Sequence, residues 1–514
     1  MGRAEVPNGV RVVEQATTPR STTTDRADTE FFRKGVAISV WQNSADDAAS
    51  NWTRYANSKW PFGYFGISTT RGKYKIGKSC DFWTRFREDL QLAKQAGCTA
   101  FRFSFEWARI EPVRGMIDNT ALDRFTEMLD VMDELGLEPN ATLHHFTHPI
   151  WFEDLGGFSE EANIPMFVDW AVFMFRTFQH RIKLWATFNE PTCYCFLAFI
   201  VGMMPPSYIF NLVGAGRTLG NMLKAHTAAY RALKALPGGQ QAQIGIVHHH
   251  ITFAAQGTGA LHALASGIAS WMEYWWGWDV VDQWMLTGEF SWDLPVLGRW
   301  LYWKDPAGKP PCDWWGINYY SRTVLSWWLQ PSCMPAEVMT DMYYPIYPDG
   351  LYKAIVRSSR YNIPMYITET GIADSMDNRR TLFIDSYFKE VMRALADGYD
   401  VRGFYYWTLV DNFEWATGFT MKFGLYRWEP DGSVDRVLKE GSRALVRFYK
   451  TLPDNLSLLR QAAQAAQRQL GPDMGVDAEL ENEGVSYVPG GDSSRQIRAD
   501  GRKAGHAGAI AALG

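Results

Sequence analysis

Apolar positions along the chain fall into two alternating rhythms. Short runs rich in β-branched and aromatic residues occur at 36–40, 100–104, 138–143, 184–188, 243–248, 314–318, 365–368 and 403–407. Among them lie longer stretches at 85–96, 122–135, 165–179 and around 219–236, with apolar residues three and four apart. Leu122, Phe125, Met128, Leu129 and Met132 share one face of such a helix. Gly97 and Gly136 end two of the stretches, where a helix commonly stops in a left-handed residue. Strand–helix alternation predicts a parallel sheet with right-handed crossovers. Eight units close into a single α/β domain, a (β/α)8 TIM barrel with long βα loops, and the 514 residues leave room for those loops. An open doubly wound sheet is the alternative, but no glycine-rich nucleotide loop follows the first strand.

The chain is 46% hydrophobic, ample for a large core, with a net charge of −5 and both signs interspersed. Nucleic acid needs a basic face, so it is not an expected partner. The 23 tryptophans fit stacking on sugar C–H faces, although Trp serves cores and interfaces equally well. Six cysteines form no Cys-x-x-Cys pair and no zinc spacing, and they read as free thiols. No metal and no cofactor are expected. His248, His249 and His250 are adjacent, but alternation along a strand puts at most His248 and His250 on one side.

Residues 1–30 lack the apolar stretch of a secretory signal and read as a disordered leader; their acids count against an organellar transit peptide. The barrel is expected over 31–455. From 456 to 514 the chain reads as a helix followed by a disordered tail. No apolar run predicts a membrane span. The expected location is intracellular, cytoplasmic first and plastid second. The sequence does not indicate an oligomeric state.

In a parallel barrel the C-terminal ends of the strands carry the chemistry. The groups that fall there are Gln42, Arg102, His145, Asn189, Glu190, Tyr320, Glu369 and Trp407, with Glu414 and Trp415 soon after. Either glutamate alone is satisfied as an ordinary strand-end acid capping the next helix. Together, Glu190 and Glu369 are the pair of carboxyls that cleavage of a glycosidic bond requires.

Several segments in order resemble glycoside hydrolase family 1, the β-glucosidase family. They are Phe101-Arg102-Phe103-Ser104-Phe105-Glu106-Trp107, Thr187-Phe188-Asn189-Glu190-Pro191, Ile367-Thr368-Glu369-Thr370-Gly371 and Trp407-Thr408-Leu409-Val410-Asp411-Asn412-Phe413-Glu414-Trp415. The resemblance runs from about residue 31 to 452. It implies a retaining β-glycosidase acting on β-glucosides or β-galactosides, with Glu369 as nucleophile and Glu190 as acid and then base. It also implies support from Arg102, Asn189 and Tyr320, and a sugar pocket of Gln42, His145, Asn189, Trp407, Glu414 and Trp415. Phe146, Thr370 and Thr84 stand where that family usually has Trp, Asn and His.

The stretch between the fifth and sixth strands is unusually aromatic: Trp271, Trp275, Trp276, Trp278, Trp284, Trp292, Trp300 and Trp303. At least half are expected in the core; the rest suit the entrance for the leaving group or peripheral contact with a lipid surface. Segments 247–253 and 346–351 resemble the plant galactolipid-remodelling branch of the same family. Expected partners are therefore a small β-glycoside or a glycolipid. Galactosyl transfer between lipids by the same double displacement is the alternative activity, and a sugar-binding pseudoenzyme is a third.

Overall fold

The computed structural model describes residues 30–44, 46–58, 76–326 and 328–470. Eight parallel strands close into a barrel: Arg33–Ala37, Ala100–Ser104, Glu138–His144, Leu184–Asn189, Gln243–His249, Trp314–Asn318, Met365–Thr370 and Val401–Trp407. Each pairs in parallel with its neighbours in chain order, and the last closes on the first through Gly35 opposite Tyr405. Almost every strand residue is buried, as expected of a parallel sheet covered by helices. The leader up to residue 29 and the tail from 471 lie outside the described residues.

One strand differs from its expected position. The first runs from Arg33 to Ala37 rather than over 36–40, and Val40 instead opens the short helix Val40–Ser44. Its first two residues are charged and buried. Arg33 pairs with Glu138 at 2.9 Å, and Lys34 pairs with Asp454 at 2.7 Å and donates to the Leu452 carbonyl at 2.8 Å. Side chains that satisfy their charge inside the fold cannot be recognised in an apolar run.

The helices follow their pattern closely, at Phe82–Gln95, Asn119–Leu135, Ile164–Phe178 and Leu212–Lys234. Asn119–Leu135 is capped by Asp118, whose carboxylate accepts from the amides of Thr120 and Ala121, and it buries the five residues named above. The helix Leu456–Leu470 docks on the barrel through Leu456, Leu459 and Ala463, and Gln467 donates to Asp397 at 3.0 Å.

The long excursion after the fifth strand holds a helix Ala260–Met272, a helix Asp279–Thr287 and a hairpin of Glu289–Leu294 with Gly298–Lys304. Of its eight tryptophans, Trp275, Trp278, Trp284 and Trp292 are buried, and Trp300 is exposed. Among the described residues no helix is long and apolar enough to cross a membrane.

Candidate active site

The two glutamates arrive at one end of the barrel by the same device. On the fourth strand the pairing with the fifth shifts register between Ala186 and Asn189. On the seventh, the pairing with the sixth shifts between Ile367 and Glu369. Such irregularities redirect side chains, and here they immediately precede Glu190 and Glu369. Glu190 also adopts a left-handed backbone with φ +46°, just before Pro191 starts the next helix. Phe146 and Trp415, at φ +68° and +39°, share that unfavourable conformation. Strained non-glycine residues gathered on one rim are typical of functional sites. Gly371 follows the nucleophile candidate because a methyl group there would collide with the Trp407 carbonyl oxygen.

A continuous hydrogen-bond chain joins the two carboxyls. Arg102 donates one guanidinium nitrogen to Glu369 and another to the Asn189 side-chain oxygen at 2.7 Å. The Asn318 amide donates to Asn189 at 3.1 Å and to Glu190 Oε1 at 2.7 Å. Thr368 fixes the amide orientation by donating to Asn318 Oδ1 at 2.7 Å. Tyr320 donates to the other Glu369 oxygen at 2.6 Å. Both glutamates are buried, and burial pushes both carboxyls up. Arg102 and Tyr320 then pull Glu369 back towards its charged form, while the nearby Glu190 opposes this. Glu190 has Asn318 and the Cys193 thiol as hydrogen-bond partners, and it feels the Arg102 charge only at a distance. A proton shared by this pair therefore belongs on Glu190, and the charge belongs on Glu369.

The remaining expected residues gather beside this pair at the same end of the barrel. The Gln42 amide donates to Glu414 at 3.2 Å and to the Phe413 carbonyl at 3.1 Å. The Trp407 side chain also hydrogen-bonds Glu414. Burial pushes the Glu414 carboxyl up to about 8. His145 lies between two indoles, with ring centroids 5.8 Å from Trp407 and 6.1 Å from Trp415. Its Nε2 is 4.0 Å from Glu369, and burial keeps the ring neutral. Trp415 in turn stacks on Trp41 with rings 4° from parallel. Gln42 Oε1 and His145 Nδ1 are buried without a protein hydrogen-bond partner. Buried polar atoms are nearly always satisfied, so these two are suited to ligand hydroxyls.

The family model for glycosyl hydrolase family 1 matches residues 50–455. The chain belongs to that family. Retention of configuration is general to family 1, and this member is a retaining O-glycoside hydrolase. A β-galactosidase of Pyrococcus woesei is 26% identical over 420 residues, 66% of this chain and 80% of that protein. The chloroplastic β-glucosidase-like protein SFR2 of Oryza sativa subsp. japonica is 26% identical over 415 residues, 75% of this chain and 59% of that protein. The solved β-glycosidase from Pyrococcus horikoshii superposes with a TM-score of 0.71 at 28% identity, covering 85% of this chain and 98% of that one.

Three neighbours of Glu190 were absent from the residues expected at the site of this family 1 enzyme. Asn318 ends the sixth strand, so its position was already a signal. Cys193 reads as one more buried thiol until the short helix Pro191–Cys195 turns it back onto Glu190. His249 is the middle residue of the histidine triplet. The outer two face away: His248 donates to the Gly277 carbonyl at 2.5 Å, and His250 accepts from the Trp315 indole at 2.9 Å. Glu190, Cys193 and His249 bring a carboxylate oxygen, a sulfur and a ring nitrogen within 4.8 Å of one another. That set offers metal-ligand atoms, but Trp276 Nε1 donates to His249 Nδ1 at 3.1 Å. An indole can only donate. The neutral imidazole therefore carries its proton on Nε2 and has no lone pair left for a cation, so the trio is a hydrogen-bonding group.

Proposed function

We propose that the protein hydrolyses β-glucosides or β-galactosides with Glu369 as nucleophile and Glu190 as acid and base. The carrying observation is the hydrogen-bond chain Glu369–Arg102–Asn189–Asn318–Glu190, which gives two buried carboxyls different partners and hence different protonation states. In the first step the Glu369 carboxylate attacks C1, Glu190 gives its proton to the departing oxygen, and a glycosyl ester remains. Esterification removes the charge on Glu369, so Glu190 ionises more readily and takes a proton from the incoming water. Asn189 suits the 2-hydroxyl, a contact that strengthens in the transition state. Gln42 Oε1, His145 Nδ1 and a protonated Glu414 suit the remaining hydroxyls of the ring, with Trp407 and Trp415 as flat walls.

Galactosyl transfer between lipids is not favoured: the relatives matched over most of their own length carry hydrolase names. A sugar-binding pseudoenzyme is disfavoured by two intact, differently partnered carboxyls. The deciding experiment incubates the full chain with aryl β-glucosides, aryl β-galactosides and a monogalactosyl lipid, followed by product analysis. Free sugar from at least one aryl glycoside is expected. Oligogalactosyl lipid as the main product, with no free sugar from any aryl glycoside, overturns the hydrolase reading.

A further inference from the structure

The proposed double displacement leaves one participant unassigned, namely whatever holds the water that attacks the glycosyl ester. A water poised for this step gives one proton to Glu190, points one lone pair at C1 and keeps a second lone pair free. A donor on the leaving-group side of Glu190 is needed to fix that second lone pair. Two hydrogen bonds of about 2.8 Å that meet at one oxygen at roughly 115° separate their outer atoms by about 4.7 Å.

His249 lies within that reach. One of its ring nitrogens lies within 4.8 Å of a Glu190 carboxylate oxygen, on the half-buried end of the fifth strand. Its ring packs edge-on against Tyr320, the Glu369 partner, with centroids 6.0 Å apart. The ring is neutral, because burial lowers its pKa to about 3. Trp276 occupies Nδ1 and stacks obliquely on the Phe196 ring at 4.8 Å, so the tautomer and the ring plane are both held. With Nδ1 taken by Trp276, the remaining N–H of His249 is a fixed, uncharged donor that does not compete for the proton Glu190 must accept. It differs from a protonated histidine, which would drain basicity from the carboxylate next to it.

We infer that His249, oriented by Trp276, is a positioning residue for the acceptor oxygen in the second half-reaction. In that step the water O–H bond breaks towards Glu190, the oxygen bonds to C1, and the C1–O bond to Glu369 releases its electron pair to the Glu369 carboxylate. His249 donates a hydrogen bond throughout and is unchanged at the end. The inference rests on the double-displacement reading above and deepens it by separating the residues of the two half-reactions.

The test uses His249→Phe, His249→Gln and Trp276→Phe with a 2,4-dinitrophenyl β-glycoside, whose good leaving group makes breakdown of the ester limiting. For His249→Phe, kcat and KM are both expected to fall about tenfold or more while kcat/KM stays within about twofold of wild type. Mass spectrometry of the acid-quenched steady state should show glycosylated protein as the main species. His249→Gln, which restores an N–H donor, should recover much of kcat, and Trp276→Phe should shift the parameters in the same direction as His249→Phe. A parallel fall of kcat and kcat/KM without accumulated ester overturns the inference, as does an unchanged kcat. If the wild-type chain itself releases no sugar, it is the hydrolase reading that fails instead.

Discussion

Replacing Glu369 with glycine is expected to lower turnover of aryl β-glycosides by about four to six orders of magnitude, as losses of a covalent nucleophile do. The substitution removes the carboxylate proposed to form the ester and leaves the Arg102 guanidinium buried without its charged partner. An uncompensated buried cation is costly, about 3–5 kcal/mol, and it attracts a small anion into the space the side chain vacates. Azide should therefore restore product formation from substrates with activated leaving groups. Because azide attacks from the nucleophile's side and nothing displaces it afterwards, the glycosyl azide should carry the inverted, α configuration. Rescue also shows that the variant is folded, so a silent variant and a collapsed one are distinguishable by nuclear magnetic resonance of the product. Retention of more than about a tenth of wild-type activity in the absence of azide contradicts the assignment.

Glu190→Ala separates substrates by their leaving groups. Burial raises the Glu190 carboxyl above its ordinary range, and the Asn318 and Cys193 hydrogen bonds only partly offset this. The acid form therefore persists to higher pH than for an exposed glutamate, and its loss of the proton forms the alkaline limb of the kcat/KM profile. Without the carboxyl, kcat/KM for alkyl and other poor leaving groups should fall by about two to four orders of magnitude. A dinitrophenyl leaving group needs no proton, and its kcat/KM should change little. The alkaline limb should flatten for every substrate. Equal losses for good and poor leaving groups, or an unchanged alkaline limb, contradict an acid role for Glu190.

The barrel was legible because its rhythms are strong. Apolar runs recur eight times with helical stripes among them, and seven of eight strands lie within two residues of where the pattern puts them. The exception, Arg33–Ala37, shows what periodicity misses: it starts with two charges whose partners, Glu138 and Asp454, are remote in sequence. The candidate site was legible where its residues end strands. Glu190, Glu369, Arg102, Asn189 and Tyr320 were all visible there, and the structure places them in one network. Cys193 and His249 were not, for different reasons. Cys193 reaches Glu190 only because a left-handed residue and a proline turn the chain back on itself. His249 was masked by its neighbours, since strand alternation draws attention to the two histidines that share a face, and those two turned out to satisfy Gly277 and Trp315. Its role depends on an indole 27 residues away in sequence, in a loop whose tryptophans all look alike from sequence.

The central claim is that Glu369 forms a covalent bond to the sugar. Incubation of the full chain with a 2,4-dinitrophenyl 2-deoxy-2-fluoro-β-glycoside, which slows breakdown of the ester more than its formation, tests it directly. Intact mass should rise by one fluoroglycosyl group, and peptide fragmentation should place that group on Glu369. A label on any other residue, or an unlabelled protein that still hydrolyses the parent glycoside, contradicts the account.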